Sequence, residues 1–277
     1  MDGARLRDEI IASIRAGLQG AGAPPVCLAT VVVGAGRGAH ANVDAKHRAA
    51  HACGITTRDV RLSGDASQAA VEEVVGALAA DPAVHGVFVQ LPLGPGLAEE
   101  AVLDLVPPVK DVDGLSERSL GRLLRGEPEH APCTPDAVVR LLARYGVATA
   151  RCAAVVVGAS RHIGLPVALL LAGPAVRATV TVVDPDAAHC AEVCRAADIV
   201  VAAANRPGMI GLGHVRPGAT IVDAGVTRTP DGIVGDVDRA VWAVAGAVVP
   251  MPGGVGPATI GCLLDHTVAA ARAQGVA

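Results

Sequence analysis

Two lysines and one glycine-rich turn are the residues whose types and spacing could do chemistry. Of 23 cationic side chains, only Lys46 and Lys110 are lysines; the rest are arginines. An ammonium can give up its proton when buried and can shuttle protons, whereas a guanidinium effectively cannot. Lys46 and Lys110 are therefore candidates for roles Arg cannot fill, the plainer alternative being two ordinary surface lysines. The second feature is Gly158-Ala-Ser160-Arg161-His162-Ile163-Gly164, which follows an apolar β-branched run and opens a helix. In that context glycines let backbone N–H groups and a helix N-terminus approach a pyrophosphate. Asp184 lies 20 positions after Gly164, at the tip of the next apolar run. A carboxylate there accepts hydrogen bonds from ribose hydroxyls and repels a 2′-phosphate. The alternatives are a tight turn with no ligand and an Asp that merely starts the turn before Pro185.

The bulk composition narrows the field. Hydrophobic residues make up 51% of the 277 residues and aromatics only 1%, namely Phe88, Tyr145 and Trp242. A core of Ala, Val, Leu and Ile suits parallel sheets covered by helices. A net charge of −4 and the scarcity of aromatics argue against nucleic acid as a partner. No charge-free apolar run is long enough for a membrane span, and the first residues do not read as a signal peptide. Seven cysteines without a CxxC pair read as reduced thiols, which points to the cytoplasm. Cys190 and Cys194 lack a second ligand pair, and His47 and His51, spaced i, i+4, lack an evident acidic partner, so no metal site is expected.

The elements that must position these residues alternate. Periodicity predicts helices over 4–20, 39–52, 65–80, 97–106, 134–145, 164–171, 187–196 and 258–273. Gly20 and Gly22 close the first of these, and Thr134 and Pro135 form a good N-cap and first position for the fifth. Strands are predicted over 26–33, 58–62, 85–90, 153–157, 179–183, 198–203 and 220–223, with a hairpin turn at 229–232. This order implies parallel sheets with right-handed crossovers, that is, an α/β fold. Ligands bind such sheets beyond the carboxyl ends of the strands, where Lys46, Gln90 and Asp113 can share one cleft.

Five pieces occur together and in order: Val89-Gln90-Leu91-Pro92-Leu93, Lys110-Asp111-Val112-Asp113-Gly114, Pro132-Cys133-Thr134-Pro135, Gly158-Ala-Ser160-x3-Gly164-x-Pro166, and Pro252-Gly253-Gly254-Val255-Gly256-Pro257-x-Thr259. Together they resemble the bifunctional methylenetetrahydrofolate dehydrogenase/cyclohydrolase family over nearly the whole chain. The resemblance implies two α/β domains with a cleft between them. One is a folate-binding catalytic domain, residues 1–137 and 258–277; the other is a Rossmann-like nucleotide-binding domain, residues 138–257. It implies oxidation of 5,10-methylenetetrahydrofolate with a nicotinamide cofactor, then hydrolysis of the methenyl ring to 10-formyltetrahydrofolate, in a homodimer. On it, Lys46 is the catalytic amine, Gln90 its support, and Asp113 the carboxylate that holds the pterin. Asn42, Pro252, Gly253 and Gly254 are further substrate contacts, and Lys110 ties down the Asp113 loop. Gly158, Ser160, Arg161, Gly164, Asp184, Asn205 and Val226 are the expected cofactor contacts.

Two departures stand out. Asn42 occupies the position of the family's Tyr, four residues before the lysine, and Asn205 replaces its Gly. The family's NADP-using members often carry Arg where this chain has Ala159, and His-Ser or a basic residue at Asp184-Pro185. The changes favour NAD over NADP. They also leave open a rival: a folate-binding paralogue without redox turnover that delivers a one-carbon unit elsewhere.

Overall fold

The computed structural model describes residues 1–18, 25–34, 36–230 and 232–276. The closure of the first helix at Gly20 and Gly22 lies outside them, as does Asp231 in the hairpin turn. Contacts divide the chain into two compact units. One comprises Asp8–Cys133 and Ile260–Ala277, the other Met1–Arg7 and Thr134–Thr259.

In the first unit, α1 (Gly3–Leu18) leads to β1 (Cys27–Val33), α2 (Arg37–Ala52), β2 (Thr56–Leu62), α3 (Gln68–Ala80) and β3 (Gly86–Val89). Two short helices follow, α4 (Glu99–Leu103) and α5 (Glu117–Leu124). The strands form a parallel sheet in the order β2-β1-β3. Every residue of β1 is buried, as expected for a central strand covered on both faces, whereas no residue of the edge strand β2 is fully buried. Helix α3 starts on Ser67, whose side chain accepts from Ala70 N, and presents Val71, Val75 and Leu78 to the sheet. Helix α5 lies in a stretch where periodicity predicted nothing; Ser116 caps it through Ser119 N.

The second unit contains α6 (Cys133–Arg144), β4 (Ala153–Val157), α7 (Gly164–Ala172), β5 (Thr179–Val183), α8 (Cys190–Arg195), β6 (Ile199–Ala202) and β7 (Thr220–Asp223). It continues with a hairpin of β8 (Thr227–Thr229) and β9 (Gly232–Val234), then β10 (Ala247–Val249) and the start of α9 (Val255–Ala273). The sheet order is β10-β7-β6-β4-β5, all parallel. Successive connections from β4 run to opposite sides, so the strand order reverses between β4 and β6. The three-residue β10 was not expected from the sequence. Met1–Arg7 belongs with this unit, unlike the division at residues 137 and 258. Gly3 N donates to Gly253 O at 3.0 Å, and Asp2 N donates to the Tyr145 hydroxyl at 2.9 Å.

Candidate active site

In the first unit the site is built around Lys46. Helix α2 carries it inward, leaving 8% of the residue exposed, and its Nζ lies 4.5 Å from the centroid of the Phe88 ring. Burial pulls the ammonium's pKa below the ordinary lysine value; the negative charge of Asp113, and Cys133 behind it, pull it back up. The ring face also favours the charged form. No hydrogen bond or salt bridge reaches the amine from the described residues.

The segment 110–114 supplies Asp113, and each residue in it has a distinct task. Val87 N donates to Lys110 O at 2.8 Å, and a parallel bridge joins Val87 to Asp111, so the segment runs beside β3. Lys110 Nζ donates to Asp81 O at 2.7 Å, at the end of α3. The Asp111 carboxylate accepts from Gly114 N, Leu115 N and Ser116 N at 3.0, 3.4 and 2.9 Å. Gly114 has φ +67° and packs against the His130 carbonyl, where a Cβ would sit 2.7 Å from oxygen.

Asp113 is only partly covered, yet burial of its carboxyl is the largest influence on it. Burial and the neighbouring Asp111 charge raise its pKa to about 6, against the lowering effect of Lys46 and of a hydrogen bond from Cys133. The folded chain thus binds this proton more tightly than the unfolded chain does. The stability the group contributes is full below about pH 4 and is lost as the pH rises through 6. Asp113→Asn is therefore expected to raise stability above pH 6.5 by on the order of 1–2 kcal/mol, allowing for solvent at the exposed part of the side chain. Melting curves of both proteins should converge near pH 4; a gap that widened towards low pH would contradict this.

Gln90 follows β3, two positions after Phe88, on the same face of the strand. Its Nε2 donates to Leu91 O at 2.6 Å, while Oε1 is buried with no partner. No hydrogen bond joins it to Lys46. The orphaned oxygen awaits a donor, which the lysine amine or a substrate N–H could provide. Nothing in the fold calls for Asn42, which is exposed on α2 one turn before Lys46.

His47 and His51 each have a hydroxyl partner. His47 Nε2 is 2.8 Å from Thr30 Oγ1 and His51 Nε2 is 2.9 Å from Thr57 Oγ1. An acidic neighbour that the sequence did not reveal, Asp59, lies 4.0 Å from His47 Nδ1. The described residues include no cluster of three or more His, Cys, Asp or Glu able to hold a metal.

In the second unit the glycine turn sits where the strand order reverses. A Cβ on Gly158, whose φ is +100°, would lie 2.5 Å from Ala203 O; one on Gly164 would lie 2.0 Å from Gly158 O. Both glycines are thus required by close packing of the turn. The Ser160 hydroxyl accepts from Ile163 N and Gly164 N at 3.3 and 3.2 Å, capping α7. Ala159 N and Ser160 N find no acceptor among the described residues, and both residues are exposed. Arg161 is exposed too, its Nε 3.2 Å from His162 Nε2. N–H groups left open at a helix start suit a phosphate, so the turn fits a dinucleotide.

Around this turn, Asp184 is exposed and accepts from Asp186 N at 2.7 Å. Asp186 in turn holds Arg206 by two bonds of 2.5 and 2.7 Å. Asn205 has φ +55°, a left-handed conformation that Asn tolerates better than most residues, which accounts for Asn where Gly is usual. Its Oδ1 accepts from Val226 N at 2.9 Å, so that amide is bound by the protein itself.

Sequence reasoning missed a buried pair of carboxylates beneath the turn. Asp236 accepts from Ala204 N, Asn205 N and Arg206 N at 2.7, 3.0 and 2.6 Å. Asp223 accepts from Gly225 N, Asp236 N and Val237 N at 3.2, 2.9 and 3.1 Å. Burial raises both pKa values, that of Asp223 to about 6, against the lowering effect of these N–H donors. Pro252, Gly253 and Gly254 lie in this unit rather than with Lys46, in the turn that opens α9; Gly254 N donates to Pro250 O at 2.9 Å.

A parallel sheet with a glycine turn at its reversal point, and a second parallel unit with a buried lysine near a carboxyl, define a two-domain α/β protein with one dinucleotide-binding fold. The family model for the catalytic domain of tetrahydrofolate dehydrogenase/cyclohydrolase matches residues 1–113, and that for its NAD(P)-binding domain matches residues 132–275. The bifunctional protein FolD of Rhodopirellula baltica is 44% identical over 286 aligned positions, covering 98% of this chain and 95% of that protein. The crystal structure of the bifunctional enzyme FolD from Campylobacter jejuni superposes with a TM-score of 0.93 at 33% identity, covering 98% of both chains. The Trypanosoma brucei enzyme, complexed with NADP cofactor and inhibitor, superposes with a TM-score of 0.91 at 34% identity, over 99% of this chain and 97% of that one. The chain belongs to the tetrahydrofolate dehydrogenase/cyclohydrolase family.

Proposed function

We propose that this chain oxidises 5,10-methylenetetrahydrofolate to the 5,10-methenyl form with a nicotinamide cofactor and hydrolyses that product to 10-formyltetrahydrofolate. The observation that carries the reading is the Lys46 amine, buried on Phe88 near Asp113, in a chain that is a family member over nearly its whole length.

Residues 8–133 with 260–277 form the folate-binding part and residues 1–7 with 134–259 the nucleotide-binding part. Asp113 accepts N–H bonds from the 2-amino-pyrimidinone edge of the pterin, with Asn42 a further substrate contact. Lys46 polarises the bound folate as a cation. As a neutral amine, which its burial favours, it takes a proton from the water that adds to the methenyl carbon. Gln90 Oε1 accepts from the lysine and fixes its direction. Gly158, Ser160, Arg161 and Gly164 hold the dinucleotide phosphates, with Asp184, Asn205 and Val226 around the nucleosides. When bound, the nicotinamide ring supplies the hydride acceptor.

NAD is the preferred cofactor. Asp184 and Asp186 are exposed carboxylates following β5, which would repel a 2′-phosphate, and Asp186 already holds the Arg206 guanidinium. Two leucines of α7, Leu165 and Leu169, and Val182 of edge strand β5 leave apolar surface exposed, which supports a homodimer. No helix among the described residues is long and apolar enough to cross a membrane, and buried thiols outside any disulfide suit the cytoplasm.

The test is to incubate the purified chain with 5,10-methylenetetrahydrofolate and either NAD or NADP, following reduced cofactor and methenyl product. Turnover with both is expected, with kcat/KM at least about tenfold higher for NAD, since like charges facing each other cost binding. Asp186→Asn should narrow that gap by releasing Arg206. Equal or better turnover with NADP would overturn the NAD preference alone. Tight folate binding without reduction of either cofactor would overturn the dehydrogenase.

A further inference from the structure

Phe88 is the only phenylalanine in the chain, and the mechanism above gives it no task. Its neighbours Val87 and Val89 point into the apolar cluster that α3 covers, so Phe88 points to the opposite face of β3. There it is 6% exposed, with Lys46 Nζ over its ring, 4.5 Å from the centroid. A ring face carries negative charge, so within about 6 Å it attracts an ammonium far more than a neutral amine. Few charges compete with the ring for this amine. Asp113 and the Cys133 thiol act on it from outside α2. Strands β1 and β3 carry no carboxylate or cation. On α2 and β2 the charges are committed elsewhere: Asp44 and Asp59 hold Arg61, Asp81 holds Arg58, His47 faces Thr30 and Asp59, and Arg48 is exposed.

The two reactions ask opposite things of the Lys46 amine. Dehydrogenation uses it as a cation and hydrolysis as a neutral base, so the ratio of the two rates follows the ratio of ammonium to amine. We propose that Phe88 is a positioning residue for Lys46: by holding the charged amine on its ring face, it sets the balance between dehydrogenation and hydrolysis. Burial of Lys46 works the other way, towards the neutral base. With the ring on one side and burial on the other, both forms stay within reach of one active site. Phe88 acts through the lysine rather than on the folate. The inference rests on the reading of Lys46 as cation in one step and base in the other.

Because the chain has a single phenylalanine, expression with a fluorinated phenylalanine in its place alters this ring alone and hardly changes its shape. The experiment compares the parent chain, its mono-, di- and trifluorinated forms, and Phe88→Leu. Cofactor reduction from methylenetetrahydrofolate, and hydrolysis of added methenyltetrahydrofolate, are followed against pH. In Phe88→Leu the alkaline limb of dehydrogenation and the acid limb of hydrolysis should move together to lower pH by about one unit, the worth of a desolvated cation–π contact. At any one pH the ratio of dehydrogenation to hydrolysis should then fall about tenfold. Each fluorine withdraws charge from the ring face, so the fluorinated forms should lie between, in order of fluorine number. The fluorine resonance of the monofluorinated form should titrate with the same midpoint, and that step should vanish in Lys46→Met, which assigns it to the lysine. Both rates falling by one factor, with limbs and ratio unmoved, would reduce Phe88 to packing and overturn the role. A ratio indifferent to fluorine number would overturn it too, and this result does not depend on Phe88→Leu folding. If Lys46→Met keeps both rates, the lysine reading itself fails, and the role of Phe88 with it.

Discussion

Lys46→Met is expected to lower both the dehydrogenase and the cyclohydrolase rates by about 10²–10⁴-fold, the range for loss of a positioned proton-transfer group. The methionine matches the stem of the lysine and can lie on Phe88 as it did, so folding is preserved. Stability should equal or exceed that of the parent, because a buried amine with no hydrogen bond in the described structure is removed. Lys46→Arg should be comparably inactive for a different reason. Its planar guanidinium is larger, is permanently charged, and cannot pass a proton to or from water. Initial rates of cofactor reduction and of methenyl loss measure the first effect, and thermal melting the second. Either variant retaining more than about a tenth of both rates would remove Lys46 from the chemistry.

The second large effect is structural. Asp236→Ala removes a fully buried carboxylate that takes three consecutive backbone N–H groups, those of Ala204, Asn205 and Arg206. Leaving such donors unsatisfied costs about 1–3 kcal/mol each, offset in part by no longer burying a charge, so a net loss of about 3 kcal/mol is expected. Denaturant unfolding should show a lower midpoint, and the dinucleotide should bind more weakly, because the 204–206 turn places Asn205. Asp236→Asn keeps one acceptor oxygen and should fall between. A loss below about 1 kcal/mol for the alanine variant would mean that water replaces the carboxylate.

Much of this was legible because the chain is locally consistent. The continuous run Cys27–Val33 reads as a buried central strand and is one, and helices α1 and α3 follow their apolar spacing. Lys46 was legible as one of two lysines, and Asp113 by its place in a distinctive motif. Helix α5 was not. It spans only eight residues, with Gly121 inside, although Ser116 offers an N-cap. Strand β10, three residues long, exists because β7 has a free edge to pair with, which no local pattern records.

The site was legible only where its parts are near in sequence. Phe88 could have been inferred, since it lies on β3 two positions before Gln90. Cys133 and His266, by contrast, meet across 133 positions of chain. Asp236 serves a turn some 30 residues earlier. Such pairings are made by tertiary packing, and a side chain's type says nothing of its distant acceptor. Asn205 is the intermediate case. Replacing Gly by Asn reads as drift until φ is known, and then reads as one of the few residues suited to that backbone.

The seven cysteines have a use that does not depend on catalysis. None is in a disulfide and all are buried, with Cys27, Cys53, Cys133 and Cys262 in one compact unit and Cys152, Cys190 and Cys194 in the other. A thiol-selective reagent added to the native chain reacts only when a thiol is uncovered, so its labelling rate counts openings of the structure around that sulfur. Because each unit carries its own set, peptide mapping of the labelled positions times the breathing of the two halves separately, in the unaltered sequence and under turnover conditions. The natural chain already contains the reporters needed to show which half loosens first when folate or dinucleotide is withdrawn.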